Sequence, residues 1–378
     1  MSTHSSTVEQ YDPAVSEPSP SPGSAAVGET VQRATALAWQ GRGRDADEVF
    51  GSVDTAGLSE DDLLAWALPR AANQFWMLSE PERAMAFLQT IRGTISTPAS
   101  MLTVDALSAT FTMNAGNPQR AAGIARDVLA APGADDTAVG WAASAAALSS
   151  ARIGDFAPVD ALAQRAVSVG HPGLLRFTGG FGQTTVRLLT GDSGGAQTLA
   201  RGLIDDAGTK QPARAIGEVL MADVLMAAGR LPEAAMLLTG AAQALAPTGY
   251  SWGPLALMLL AQVLGRQGHT AEAGRALGRA EARHGLKSML FAPELALARA
   301  WTSRARHDKY GAVSAAWEAF RAADRDGQSA VAIRCLQDLA CLGDRRATEG
   351  FARLADQLDG AGLAPAAAGA RAAAKSVG

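Results

Sequence analysis

The strongest constraint on this chain is a piece of punctuation that returns nine times. A small or turn-prone residue, two to four polar residues and then a new apolar-periodic stretch occur at Gly41, Ser79, Gly116, Gly154, Gly191, Gly229, Gly268, His307 and Gly343. Neighbouring turns lie 36 to 39 residues apart. A constant step of this size marks an array of stacked supersecondary units, none able to bury its apolar faces alone.

The unit itself is clearest from Ile216 to Leu245. Its first half ends in Ala227-Ala228-Gly229-Arg230-Leu231, and its second opens with Pro232-Glu233-Ala234. Glycine suits the left-handed position just past a helix end, and proline suits the first turn of the next helix. Ala234, Leu237, Leu238, Ala241 and Leu245 then recur at helical spacing. The same stripe appears in Leu257, Leu260, Ala261 and Leu264, in Val313, Ala316, Trp317 and Phe320, and in Phe351, Leu354, Ala355 and Leu358. Period-two alternation is nowhere convincing. Apolar residues make up 48% of the chain but aromatics only 5%, so Ala, Leu and Val carry the core, as in closely packed helices rather than sheets.

The expected fold is therefore all-α: a tetratricopeptide-like solenoid of about nine antiparallel helix pairs over residues 29–362, with a terminal helix at 363–378. By analogy with such arrays the superhelix is right-handed and the first helix of each pair lines its concave face. Residues 1–28 are rich in Ser and Pro and carry Glu9, Asp12 and Glu17 without Lys or Arg. They lack the basic and apolar regions of a signal peptide and are expected to form a disordered tail. The apolar run Leu255 to Ala261 is far short of the roughly 20 residues a membrane span needs. A cytoplasmic location and no membrane contact are expected.

The later repeats resemble a known family. Pro293 to Trp301 (PELALARAW), the helix running to Asp324, Gln337 to Asp344 (QDLACLGD), Ala352 to Gly360 (ARLADQLDG) and Ala364 to Ala374 (APAAAGARAAA) look like the helical-repeat region of large LuxR-type regulators from actinobacteria. In that family the array lies between a nucleotide-binding module and a DNA-reading helix-turn-helix, and is taken to sense ligands or partners, as in MalT-like activators. The resemblance implies a sensor or scaffold role in transcription regulation. It carries over neither ATP hydrolysis nor DNA recognition. No Gly-x-x-x-x-Gly-Lys-Ser/Thr loop is present to cradle phosphates, and the chain ends in or just after the helix near Pro365. A regulator that lost its ends, a split gene and a shortened reading frame all fit that ending.

Candidate chemistry is sparse. His4, His171, His269, His284 and His307 fall singly in tail, turns and helix ends, without metal-ligand spacing, and read as solvated turn residues. Cys335 lies on an apolar stripe with Leu336 and Leu339 and reads as core; Cys341 lies six positions on, on another side of the helix. No Gly-x-Ser-x-Gly elbow is present. The chain is expected to be no enzyme and to hold no cofactor or metal. A net charge of −4 argues against direct binding of duplex DNA.

The expected partner is a protein or small-molecule effector on the concave face. Phe181, Arg187, Tyr250 and Trp252 are the candidate groove residues. Tyr250 and Trp252 occupy the connection before the seventh pair, where amphipathic aromatics serve binding well. Phe181 belongs to Gly179-Gly180-Phe181-Gly182 within the first helix of the fifth pair. For each the competing reading is packing, since glycine inside a helix permits close backbone approach. A stand-alone interaction scaffold without a transcriptional role fits the same features, and an unrecognised enzyme is the third reading.

Overall fold

The computed structural model describes residues 22–170 and 174–377. The expected tail lies largely outside the described residues, as do His4 and His171. Among the described residues nine helix pairs and a final helix follow one another. The first five pairs are α1 (Pro22–Trp39) with α2 (Gly43–Gly51), α3 (Glu60–Ala72) with α4 (Pro81–Thr94), α5 (Pro98–Asn114) with α6 (Pro118–Ala130), α7 (Asp136–Ile153) with α8 (Val159–Ser168), and α9 (Leu175–Leu189) with α10 (Ser193–Ala207). Then come α11 (Ala213–Ala227) with α12 (Leu231–Ala244), α13 (Trp252–Arg266) with α14 (Thr270–Arg283), α15 (Ala292–Ala305) with α16 (Lys309–Arg325), α17 (Ser329–Cys341) with α18 (Arg346–Gly360), and α19 (Ala364–Val377). Asn73–Met77 continues α3 as a π-helical turn, and Leu286–Phe291 leads into α15 as a 3-10 turn. Among the described residues there is no strand, and no helix is long and apolar enough to cross a membrane.

One boundary differs from the sequence reading. Helix α1 begins at Pro22, inside the stretch expected to be tail. Proline is pre-set for a first helical turn, and Val27, Val31 and Ala34 then supply an i, i+4, i+7 stripe that packs into the N-terminal core. Ser/Pro composition hid a helix whose stripe starts five residues after the last proline of that stretch.

All nine turn residues have positive φ, from 60° at Ser79 to 95° at Gly154. Glycine occupies seven of these positions because it alone reaches that region without a Cβ clash. Asn117, Asp192 and Asp308 follow three of the turns, and each carboxylate or amide oxygen accepts from the backbone N–H three residues on. Helix stop and helix start are thus written side by side.

The pairs form two layers. Consecutive first helices pack on one another, while each second helix packs on the first helix of its own pair and of the next. Burial follows from this. Every residue from Ser251 to Val263 is buried, whereas α14 buries only the single stripe Ala273, Ala276 and Ala280. First helices such as α7 and α13 are buried nearly all round, while second helices such as α14 bury a single stripe.

The superhelix then closes on itself. Helix α5 touches the Leu286–Phe291 turn of the eighth pair, α7 touches α17, and α9 touches α19. Elements about five pairs apart meet, and the inner surface is narrowed where an open groove was expected. Small residues permit this: the run Ala142 to Ala147 of α7 is wholly buried. Three ion pairs between first helices stitch the inner layer: Arg152 with Glu294, Arg334 with Asp223, and Arg266 with Asp338. Their partners come from α7, α11, α13, α15 and α17.

Candidate functional site

Two cavities interrupt the inner layer, and their walls differ in kind. The larger, about 310 Å³, lies among Arg266, Arg334, Gln337, Asp338 and Cys341. Its cations are already neutralised. Both Arg334 nitrogens donate to Asp223, and Asp338 accepts from Arg266 and from the Trp301 indole, over whose ring the Arg266 guanidinium sits at 4.7 Å. The arrangement satisfies its own charges and holds helices together.

The second cavity, about 220 Å³, is aromatic and lacks any charged wall residue. Trp39 reaches it from the end of α1, Trp76 from the π-helical turn, Trp141 from α7, and Tyr250, Ser251 and Trp252 from the start of α13. Thr110 and Asn114 of α5, Thr178 of α9 and Phe291 also line it, with aliphatic side chains such as Met113 and Leu148 filling the gaps. Four of the seven tryptophans in an aromatic-poor chain meet at this one hollow. Such concentration is the composition of a recognition pocket rather than of an average core.

The rings buttress one another. Trp76 lies 5.6 Å from Tyr250, 6.5 Å from Trp141 and 5.3 Å from Phe111, which itself stacks on Phe75 at 4.2 Å. Trp39 tilts against Tyr250 at 5.5 Å. On the far wall Phe181, Trp252 and Phe291 form a triangle with sides of 5.7, 6.3 and 6.5 Å. Tilted and edge-on contacts of this kind fix ring orientation before any ligand arrives.

Polar capacity is limited. Ser251 donates to the Lys287 carbonyl, and the Asn114 amide nitrogen to the Thr110 carbonyl. The Tyr250 hydroxyl makes no hydrogen bond among the described residues, and burial pushes its phenol up to about 12. It stays neutral and available as donor or acceptor.

The walls come from the first five pairs and from the seventh and eighth, and the second and seventh pairs meet at a seam behind the cavity. The Lys287 ammonium donates to the Trp76 carbonyl at 2.7 Å. Burial, helped by nearby Arg283, pushes this ammonium down to about 8. A Cβ on Gly249 would stand 2.3 Å from that same carbonyl oxygen, and one on Gly41 would stand 2.3 Å from the Pro247 carbonyl oxygen. Two glycines are needed simply for the chain to pass itself.

The four candidate residues separate. Tyr250 and Trp252 line the cavity, and Phe181 backs it through Trp252 and Phe291. Arg187 lies elsewhere, bonded to Asp160 at 3.1 Å and near Asp192 at 3.8 Å on the surface. The glycines around Phe181 serve packing: a Cβ on Gly182 would meet the Ala147 carbonyl oxygen at 2.8 Å, and one on Gly179 would meet Ala163 at 3.1 Å. Trp39, Trp76, Trp141 and Phe291 were not singled out from the sequence. The one available signal was Trp141, a lone large ring in an otherwise small-residue helix. Among the described residues no cluster of His, Cys, Asp or Glu could hold a metal ion.

No family model and no curated protein matches the chain. Solved structures do. A Rap protein complexed with competence and sporulation factor aligns over 94% of this chain and 98% of its own, with 13% identity and a TM-score of 0.57. The APC/C hetero-tetramer Cut9-Hcn1 aligns over 94% of this chain and 72% of that one, with 14% identity and a TM-score of 0.51. The likeness is one of fold: this chain is a tetratricopeptide-like helical solenoid.

Proposed function

We propose that the chain is a non-catalytic binding module that receives one large apolar side chain of a protein or peptide partner in the Trp39–Trp76–Trp141–Tyr250 cavity. The observation that carries this is the cavity itself, pre-formed, aromatic and uncharged, with the Tyr250 hydroxyl open to a partner. Its volume of about 220 Å³ lies below the roughly 300–1,000 Å³ usual for drug-sized ligands. It suits an anchor residue of a longer partner better than a whole effector. Because its walls join the first five pairs to the seventh and eighth, occupancy favours the closed superhelix over any opened one. The Rap protein of similar fold, seen in complex with competence and sporulation factor, supports the idea that an array of this kind holds a binding partner.

Within this reading, a cytoplasmic sensor or scaffold role in transcription regulation rests on the resemblance of Pro293–Trp301 and the following helices to LuxR-type repeat regions. Direct contact with DNA forms no part of it.

The test is a displayed library of linear peptides panned against the full chain and against Thr178→Phe, which adds a ring to the cavity wall. Peptides sharing one large aromatic or branched residue should be enriched on the wild type and lost on the variant. Selected peptides that bind both proteins equally would overturn the assignment. Turnover of ATP or an ester by purified protein, abolished by one substitution, would overturn its non-catalytic part.

A further inference from the structure

A second surface lies on the outer layer and is independent of the aromatic cavity. Between α16 and α18 runs an open groove of about 800 Å³. Its floor is Trp317, whose indole nitrogen donates to Asp344 at 2.7 Å. Arg346 lies over the Trp317 ring at 5.3 Å and donates to the same carboxylate. Those bonds hold the Asp344 carboxyl at about 2, and its charge is paired with Arg346. Tyr310, at 93% exposure, stands on the rim.

Three further cations, Lys309, Arg321 and Arg353, face this groove, and none makes an ion pair among the described residues. Glu349 is the one remaining carboxylate of the lining. On the neighbouring surface Arg299 pairs with Glu281 and Arg371 with Asp359, while Arg304, Arg306 and Arg345 make no ion pair among the described residues but do not line the groove. In a chain of net charge −4, unpaired cations gathered round a fixed indole are a local feature, not a reflection of overall charge.

We propose that this groove docks an extended acidic segment of a partner protein, carboxylates on Lys309, Arg321 and Arg353 and one apolar side chain on Trp317. Arginine with an aromatic floor is the composition of an interface anchor. Helix α16 is about 25 Å long, which an extended segment of about eight residues matches. Nucleic acid fits less well, since a net negative chain repels a long polyanion while a few carboxylates suffice for three cations.

The probe is a fluorescein-labelled Asp/Glu-rich peptide of about eight residues with one central leucine, long enough to span the groove. Its Asn/Gln counterpart is the control. The acidic peptide should bind the full chain, weaken as salt rises, and lose at least about tenfold in affinity, some 1.4 kcal/mol, against the double variant Arg321→Glu, Arg353→Glu. Both residues are exposed, and an unchanged thermal melt confirms that the variant is folded. Trp317→Leu should weaken binding at constant salt dependence. No binding, binding indifferent to the double variant, or stronger competition by an oligonucleotide of equal charge each overturns the proposal. So does binding that appears only after residues 1–21 are removed, for then the acidic stretch with Glu9, Asp12 and Glu17 is the occupant in place of a partner.

Discussion

Arg152 and Glu294 lie 142 residues apart and pair at 2.9 Å with 2% and 9% of their side chains exposed. The guanidinium also donates to the Leu290 carbonyl and to Gln328, so one side chain ties the fourth pair to the eighth and ninth. Removing one member of a buried pair leaves the other desolvated and alone, which typically costs about 3–5 kcal/mol. Arg152→Met should lower the urea midpoint accordingly. The double variant Arg152→Met, Glu294→Met should recover a large part of that loss. A loss under about 1 kcal/mol for the single variant would mean that the pair does not hold the superhelix closed.

Gly249→Ala places a Cβ against the Trp76 carbonyl, a backbone atom that cannot swing aside. Overpacking of this kind costs about 1–3 kcal/mol. Relief requires the seam to part, so small-angle scattering should report a larger radius of gyration and tryptophan emission should shift to the red. An unchanged scattering profile would show that the seam absorbs the methyl locally.

Lys287 gives the seam a pH dependence whose sign can be worked out. Its folded value, about 8, lies below the ordinary 10.5, so between these limits the unfolded chain holds a proton that the folded chain has released. Stability from this group therefore rises with pH across that window. The thiol of Cys335, pushed up by burial, acts in the opposite sense from about pH 9, as does the Tyr250 phenol above about pH 10. These groups are common to wild type and Lys287→Met, so the stability difference between the two isolates the lysine. That difference should move in favour of the wild type between pH 8 and 10.5; a flat difference contradicts the burial of the ammonium.

Ser79 and His307 hold positive φ at exposed turn positions where the other seven repeats use glycine. Each pays the left-handed cost of about 1–2 kcal/mol, offset in part by the extra freedom glycine has when unfolded. Ser79→Gly and His307→Gly should each raise stability by roughly 0.5–1 kcal/mol, and the two should add because the sites are remote. A thermal melt that falls for either variant would contradict the assigned turn geometry.

Cys335 is fully buried and Cys341 is exposed. Iodoacetamide should label one thiol in native protein and the second only on unfolding. Equal labelling rates would contradict the placement of α17.

Much of this architecture is local and could be read from the chain alone. Left-handed glycines, the Asn and Asp caps and the 3.6-residue stripes each act within a few residues, so turns, pairs and the two-layer division follow directly. Even Ser79 and His307 were found, because the period pointed to them where residue type did not. The start of α1 was missed because its Ser/Pro neighbours dominate composition, whereas Val27, Val31 and Ala34 are decided by what they pack against. Closure lay beyond the sequence. Whether Gly249 meets Trp76 depends on small rotations summed over the four intervening pairs, and no local signal encodes the sum. Tyr250 and Trp252 could be picked out as an aromatic connection, yet their cavity exists only because Trp39, Trp76 and Trp141 arrive from the other end of the array. A solenoid's repeats are set by neighbours in sequence; its binding site is set by neighbours in space.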